Sequence, residues 1–220
     1  MKNNSSPGSF KSYDLIAPLY DVLGALYTGG GISRAKREHI GSISPSARIL
    51  YAGAGTGAEC VLAAQSGATI TVVELSRSML GRCEERFKKA GLNANFVHGD
   101  ALSAETKGNF DLVVAPFFLN TFSKDQVANA LQCLSKQVRK GGRLLSIDFA
   151  APSPFFPFRL LQYLYYLPPL VLFRFLANNP WHGLYDYEQI AHKCPLRLTG
   201  HKKMKAWGVP VLECIEWEKC

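Results

Sequence analysis

The chain has 220 residues, 47% hydrophobic and 19% charged, the balance of an ordinary folded domain with one sizeable core. Its 25 Lys and Arg against 17 Asp and Glu leave a net charge of +8, which suits an anionic partner such as a membrane surface, nucleic acid or an acidic substrate without choosing among them. Six cysteines, at 60, 83, 133, 194, 214 and 220, include no C-x-x-C and no nearby His at metal-ligand spacing, so they suggest neither a zinc site nor a disulfide framework and fit free thiols in a reducing cytoplasm.

Residues 1–10 are polar, contain Pro7-Gly8 and lack the basic-then-apolar order of a secretory signal, so they read as a disordered tail ahead of a single domain over 11–220. Tyr13 to Tyr27 and Ile32 to Ile40 predict one or two helices before the core. A dinucleotide dehydrogenase would more often open on its first strand.

From Ala47 onward, short β-rich runs alternate with helical patterns, the signature of a parallel sheet built from βαβ units. The strands are Arg48 to Ala52, the β-branched Thr69 to Val73, a run around Phe96-Val97, Leu112 to Val114 and Leu144 to Ile147. Met79, Leu80, Cys83 and Phe87 recur at helical spacing, as do Val127, Ala130, Leu131, Leu134 and Val138. The second of these helices starts at Ser123 with Gln126 completing a capping box, and the pair Gly141-Gly142 is its stop signal.

The apolar stretch from Phe155 to Ala177 is interrupted by Arg159, Arg174 and Pro168-Pro169, so it predicts no membrane span but a helix broken at the prolines, in a lid-like or interfacial insertion over about 152–184. A short helix at Tyr187 to His192 and strands near Leu196–Met204 and Val209–Trp217 complete an α/β chain of mostly parallel sheet flanked by helices.

Gly53-Ala54-Gly55-Thr56-Gly57 follows the first strand and precedes the helical run Ala58 to Gln65, a tight turn where a ligand reaches the backbone. Glu74, at the end of the second strand, is placed to accept hydrogen bonds from the two hydroxyls of a ribose. Loop and carboxylate together indicate a nucleotide-like cofactor, but the same letters satisfy G-x-G-x-x-A, so a nicotinamide cofactor stays open on the loop alone.

Over roughly residues 10 to 217 the chain resembles the class I S-adenosylmethionine-dependent methyltransferases, through Ile49 to Gly57, Val73 to Leu80, Gly99-Asp100-Ala101, Phe110 to Val113 and Val138 to Leu144. Tyr13 to Asp21 is similar to the leading helix of the ubiquinone/menaquinone C-methyltransferase-like group. The resemblance implies a Rossmann-like fold with a seven-stranded sheet and S-adenosylmethionine as cofactor. It places Gly53, Gly55 and Gly57 along the methionyl part, Glu74 at the ribose, Ser78 and Met79 beside the adenine, and Asp100 on its amino group, with Ala54, Leu75, Ala101 and Pro116 in the same cofactor site. It also sets Tyr13 and Tyr20 to line or close that pocket, where the alternative is helix-to-core packing.

One residue departs from the pattern: Tyr51 stands where the family carries an acid that anchors the cofactor's ammonium group. Three consequences are open: a weaker site, a compensating carboxylate such as Glu59 or Asp111, or a chemistry other than methyl transfer.

Methyl transfer from a sulfonium is an in-line displacement, so positioning in a dry pocket achieves much and a base is optional. His98, His182 and His201 titrate near neutrality but form no recognisable constellation, so no catalytic residue is assigned. Ala115-Pro116-Phe117-Phe118 lacks the Asn or Asp that precedes Pro-Pro-aromatic in nucleobase amino-methyltransferases, which counts against a nucleic-acid substrate. Phe117, Phe118, Phe122 and the aromatics of 155–166 instead suggest an apolar pocket or lid for a small lipophilic or aromatic acceptor, quinone-like and met at a membrane surface. A nicotinamide oxidoreductase and a cofactor-binding protein without catalysis are the competing readings; the former lacks a Tyr-x-x-x-Lys pair and a second mononucleotide half.

Overall fold

The computed structural model describes residues 20–104, 106, 108–177 and 184–220, so the expected tail and Tyr13 lie outside the described residues. Helices α1 (Tyr20–Thr28) and α2 (Gly31–Arg37) lead into β1 (Arg48–Ala52), α3 (Ala58–Gln65), β2 (Thr69–Glu74), α4 (Arg77–Lys89) and β3 (Asn95–His98). There follow β4 (Phe110–Pro116), α5 (Lys124–Gln137), β5 (Val138–Phe149), α6 (Phe156–Ala177), α7 (Tyr187–Ala191) and the hairpin β6 (Leu196–Ala206) with β7 (Val209–Lys219). The sheet order is β3-β2-β1-β4-β5-β7-β6, with β1 to β5 parallel and β7 antiparallel to both neighbours. This is the α/β, mostly parallel seven-stranded sheet that the sequence predicts, finished by an antiparallel edge.

The central strands are apolar on both sides because helices cover both faces. Along β1, Ile49 and Tyr51 join the core facing α3 and α4, while Leu50 and Ala52 join the core facing α5. The chain runs outward one way through β1, β2 and β3, then returns to build β4 and β5 on the other side. That reversal opens a crevice at the carboxyl ends of β1 and β4, where ligands of open α/β sheets bind.

Two boundaries differ from expectation. Helix α5 stops at Gln137, not at Gly141-Gly142, and Val138 already opens β5. Val138 pairs with Phe110, and the register then shifts before Leu112 meets Arg143. The glycines build that irregularity: Gly141 has φ +68°, and a Cβ on Gly142 would lie 2.8 Å from Val138 Cγ1 and 3.0 Å from the Phe110 carbonyl oxygen.

The other difference is α6, which runs through Pro168-Pro169 unbroken. A proline inside a helix leaves the carbonyl four residues earlier without its donor, here those of Leu164 and Tyr165. Leu164 is on the solvent side, where a carbonyl is open to water. Tyr165 is served by a neighbour: the Tyr27 hydroxyl donates to its carbonyl, their rings sit 4.8 Å apart, and the Trp207 indole N–H donates to the Tyr27 carbonyl at 2.9 Å. The helix therefore survives two prolines because α1 replaces a missing donor.

Helix α6 also docks with unusual polarity. Gln162, 3% exposed, faces inward, its amide nitrogen donating to the carbonyls of Ala151 and Pro210 and its oxygen accepting from Ser153 N at 2.7 Å. Tyr166, one turn on, is buried beside it, whereas Phe156, Leu160, Leu164 and Leu167, at spacings of four, four and three, are exposed. No helix among the described residues is long and apolar enough to cross a membrane.

Tyr27→Phe is expected to cost about 1 kcal/mol in urea denaturation, the penalty of an unsatisfied, part-buried acceptor. In a Pro169→Ala background, where a backbone N–H again reaches the Tyr165 carbonyl, the cost should fall toward zero; equal costs in both backgrounds would refute the account.

Candidate functional site

The crevice is floored by the turn after β1. Gly53, Gly55 and Gly57 all have positive φ, which favours glycine, and two are also closed to side chains. A Cβ on Gly53 would lie 2.8 Å from the Phe118 ring and one on Gly57 2.1 Å from Cys83 Sγ. Ala54 is fully buried, and Met79 Sδ lies 3.8 Å from where a Gly55 Cβ would stand. The turn thus presents bare backbone with α4 packed directly behind it.

Glu74 fixes this turn to the next one. Its Oε2 accepts from Gly55 N at 2.8 Å and its Oε1 from Ser76 N at 2.9 Å, in an 8% exposed position. Burial raises its pKa, opposed by those backbone hydrogen bonds and by the charge of Lys36. Each carboxylate oxygen has two lone pairs, so both keep capacity for a ligand hydroxyl. Ser76 caps α4 by accepting from Met79 N, which sets Ser78 and Met79 in the first turn, while Leu75 is exposed at the rim.

At the end of β3, Gly99 N donates to the Glu74 carbonyl, which brings Asp100 alongside. Asp100 Oδ1 accepts from Leu102 N at 2.9 Å, and Ala101 is buried beneath it. His98 is engaged with the Leu75 carbonyl at 3.0 Å. Tyr20 opens α1, and His182 lies outside the described residues.

The wall opposite comes from β4 and β5. Pro116 is buried, and Phe117 holds φ +54°, a conformation that costs a bulky residue on the order of 1–3 kcal/mol. Phe117, Phe149 and Tyr166 stack edge to face at 5.5 and 4.8 Å, and Phe118 packs on Phe122 at 5.0 Å. The aromatics expected to form a pocket or lid therefore divide: Phe117, Phe118 and Phe122 line the crevice end, Tyr166 backs them together with Phe149, Tyr165 packs on Tyr27, and Phe155, Phe156, Phe158 and Tyr163 face outward.

Tyr51 is fully buried, its hydroxyl 2.7 Å from His39 Nε2. Burial pushes the His39 imidazole down to about 4, helped by Arg143, and pushes the Tyr51 phenol up, so the pair is neutral. Of the two carboxylates considered in its place, Asp111 is at the wrong end of the sheet: at the start of β4 it accepts from Arg48 N at 2.7 Å and Arg139 Nε at 2.6 Å. Glu59 is 2% exposed in the first turn of α3, with Lys36 Nζ at 3.2 Å.

A buried acidic network, which the linear sequence does not reveal, sits behind the aromatic wall. Asp148 is fully buried and accepts from Phe149 N at 2.8 Å and Asn120 N at 3.0 Å, bracing the turn that carries Phe118. Glu213 stands opposite it in the β5–β7 register, and His201 bridges Glu213 and Glu188 at 3.2 Å each. His201 thus belongs to this network and not to the crevice. Its members come from β5, β6, β7 and α7, so only the antiparallel edge assembles them.

Residues 49–142 match the family model described as a methyltransferase domain. The chain is 29% identical over 184 residues to the demethylmenaquinone methyltransferase of Renibacterium salmoninarum, covering 81% of this chain and 74% of that one. It is 30% identical over 177 residues to the demethylmenaquinone methyltransferase of Thermus thermophilus, covering 78% and 79%. The solved structure of the 1,6-didemethyltoxoflavin-N1-methyltransferase of Burkholderia thailandensis, which holds 1,6-didemethyltoxoflavin and S-adenosylhomocysteine, aligns with a TM-score of 0.70 at 14% identity over 100% of this chain and 92% of that one. At that identity the likeness is one of fold.

The acidic network has a pH signature. Burial holds the Asp148 carboxyl up at about 8 against an ordinary 3.8, with Glu213 adding to the rise, and Glu213 is itself shifted up. Tyr166 and Tyr187 lie near Asp148, with Tyr185 close to both tyrosines, and His201 faces Glu213. Because the folded state holds a proton on Asp148 that the unfolded chain has released, stability should fall as pH rises from about 4 to about 8. Thermal denaturation at pH 5.5 and 8.5 is expected to show this fall, with a smaller fall in Asp148→Asn; an unchanged slope would remove Asp148 as its source.

Proposed function

This chain belongs to the class I S-adenosylmethionine-dependent methyltransferases, and on that premise we propose that it methylates a small lipophilic, quinone-like acceptor taken from a membrane surface. The observation that carries the acceptor class is the joint placement of an aromatic wall at the carboxyl ends of β4 and β5 and an outward apolar stripe on α6, the helix packed against that wall. The named activity of the demethylmenaquinone methyltransferases at about 30% identity supports it.

The residues of the crevice suit the cofactor. No side chain fits at Gly53 or Gly57, where a Cβ would meet Phe118 and Cys83, and at Gly55 only Met79 Sδ, at 3.8 Å, comes near, so the turn with Ala54 offers bare backbone to the methionyl chain. Glu74 has lone pairs for the ribose hydroxyls with Leu75 at the rim, and Asp100 has an oxygen for the adenine amino group between Ser78, Met79, Ala101 and Pro116. When bound, S-adenosylmethionine supplies an electrophilic methyl group for in-line displacement. The chain's part is to hold the acceptor in line and keep water out, which the Phe117, Phe118 and Phe122 rings do. No group of His, Cys, Asp and Glu among the described residues is arranged to hold a metal.

The membrane part rests on where apolar surface is exposed. Among the described residues, the large exposed apolar side chains gather on residues 155–167 and on Leu26 and Trp207, 70% and 71% exposed, with only Leu75 and Leu198 elsewhere. Trp207 and Tyr165 both bond Tyr27, so these surfaces adjoin. A stripe of this kind on a chain of charge +8 suits the interface of an anionic bilayer, and α6 then serves as acceptor lid and anchor together.

Calorimetric titration is expected to show S-adenosylmethionine binding and no NADH binding, with Glu74→Ala weakening the former about tenfold or more, the scale of lost charge-assisted hydrogen bonds. Methyl transfer to a demethylated naphthoquinol should then be detectable. Binding without transfer to any quinol or phenol would favour a binding protein, and NADH binding in its place would overturn the reading. Vesicles containing anionic lipid should sediment the protein at low salt, less so for Leu160→Glu with Leu164→Glu; no sedimentation of the native chain would remove the membrane part.

A further inference from the structure

The departure at Tyr51 leaves the cofactor's amino-acid end without the acid that the family supplies, and the structure offers a different seat. We propose that Glu59 and Lys36 together hold the α-amino acid zwitterion of the cofactor, Glu59 taking the ammonium and Lys36 the carboxylate. This rests on the methyltransferase reading of the crevice and names a contact for it.

Tyr51 itself supplies no charge, because its phenol is closed against a neutral His39. Glu59 lies two residues beyond the third glycine, in the first turn of α3, where the helix dipole favours an anion. Its Oε1 is buried and has no hydrogen-bond partner among the described residues: the Lys36 ammonium is 3.2 Å away but off the line that a hydrogen bond requires. A buried carboxylate oxygen in that condition is costly, since the hydration an ion loses on burial is restored only by good geometry. An incoming ammonium would supply the missing donor.

Lys36 is the matching half. It comes from α2, is mostly buried, and its charge acts on both Glu59 and Glu74, the carboxylates on either side of the glycine turn. One anion and one cation, 3.2 Å apart beside bare backbone, complement a zwitterion of opposite order. Asp111 offers no competing seat, since its oxygens are occupied by Arg48 and Arg139 at the far end of β4.

The test compares two ligands by calorimetry, S-adenosylhomocysteine, which carries the zwitterion, and 5′-methylthioadenosine, which has the same nucleoside and thioether without it. For Glu59→Gln and for Lys36→Met, affinity for S-adenosylhomocysteine should fall about tenfold or more while that for methylthioadenosine stays within about twofold. Equal losses for both ligands would make the pair a structural clamp and overturn the proposal, as would an unchanged affinity for S-adenosylhomocysteine. If Glu59→Gln fails to show a native melting transition, Lys36→Met carries the comparison alone. A native chain that binds neither ligand would refute the cofactor reading of the crevice, and this proposal with it; one that binds both with equal strength refutes the zwitterion seat only.

Discussion

The crevice depends on one carboxylate. Glu74 joins the turn after β1 to the turn after β2 by accepting from Gly55 N and Ser76 N, and its own carbonyl accepts from Gly99 N after β3. Three strand ends are thereby registered at a single residue. The arrangement works because the β-branched run of β2 carries Glu74 to the carboxyl edge, where burial would penalise its charge if the two backbone donors did not offset that loss. The same two donors leave lone pairs open to a ligand, so the group that assembles the loops is also one that a nucleoside can use.

Much of this was legible in the sequence because it is local. The strand Arg48 to Ala52, the glycine turn, the helix Ala58 to Gln65 and the acid after β2 form one βαβ unit whose period, punctuation and end group each have a direct physical meaning. The misplaced end of α5 shows the limit. A glycine pair after an amphipathic run has the chemistry of a helix stop, yet Val138 and the strand beyond gain more from pairing with Phe110, and the glycines are spent on the irregularity that this pairing needs.

What was illegible depends on partners distant in sequence. Pro168-Pro169 predicts a break, and nothing near it signals that Tyr27 will donate to the orphaned carbonyl from 138 residues away. The network of Asp148, Glu213, His201 and Glu188 is equally silent, because its members are brought together by an antiparallel edge whose strand order does not follow the chain. The sequence predicts that helix α6 is apolar, but not which face turns inward: Gln162, with three hydrogen bonds to the ends of β5 and β7, and Tyr166 are buried, while Phe156, Leu160, Leu164 and Leu167 stay outside.

That choice links the antiparallel edge to the crevice. Gln162 reaches residues just past β5 and just inside β7, Asp148 and Glu213 sit on those same two strands, and Asp148 braces the turn that holds Phe118 over Gly53. The α6 stripe, the buried acids and the aromatic wall are therefore built on the same pair of strands, β5 and β7. In a parallel sheet with a free edge beyond β5, no strand would stand opposite Asp148 to receive Gln162. The reversed hairpin supplies that strand and sets the outward apolar helix against the same edge that holds the wall.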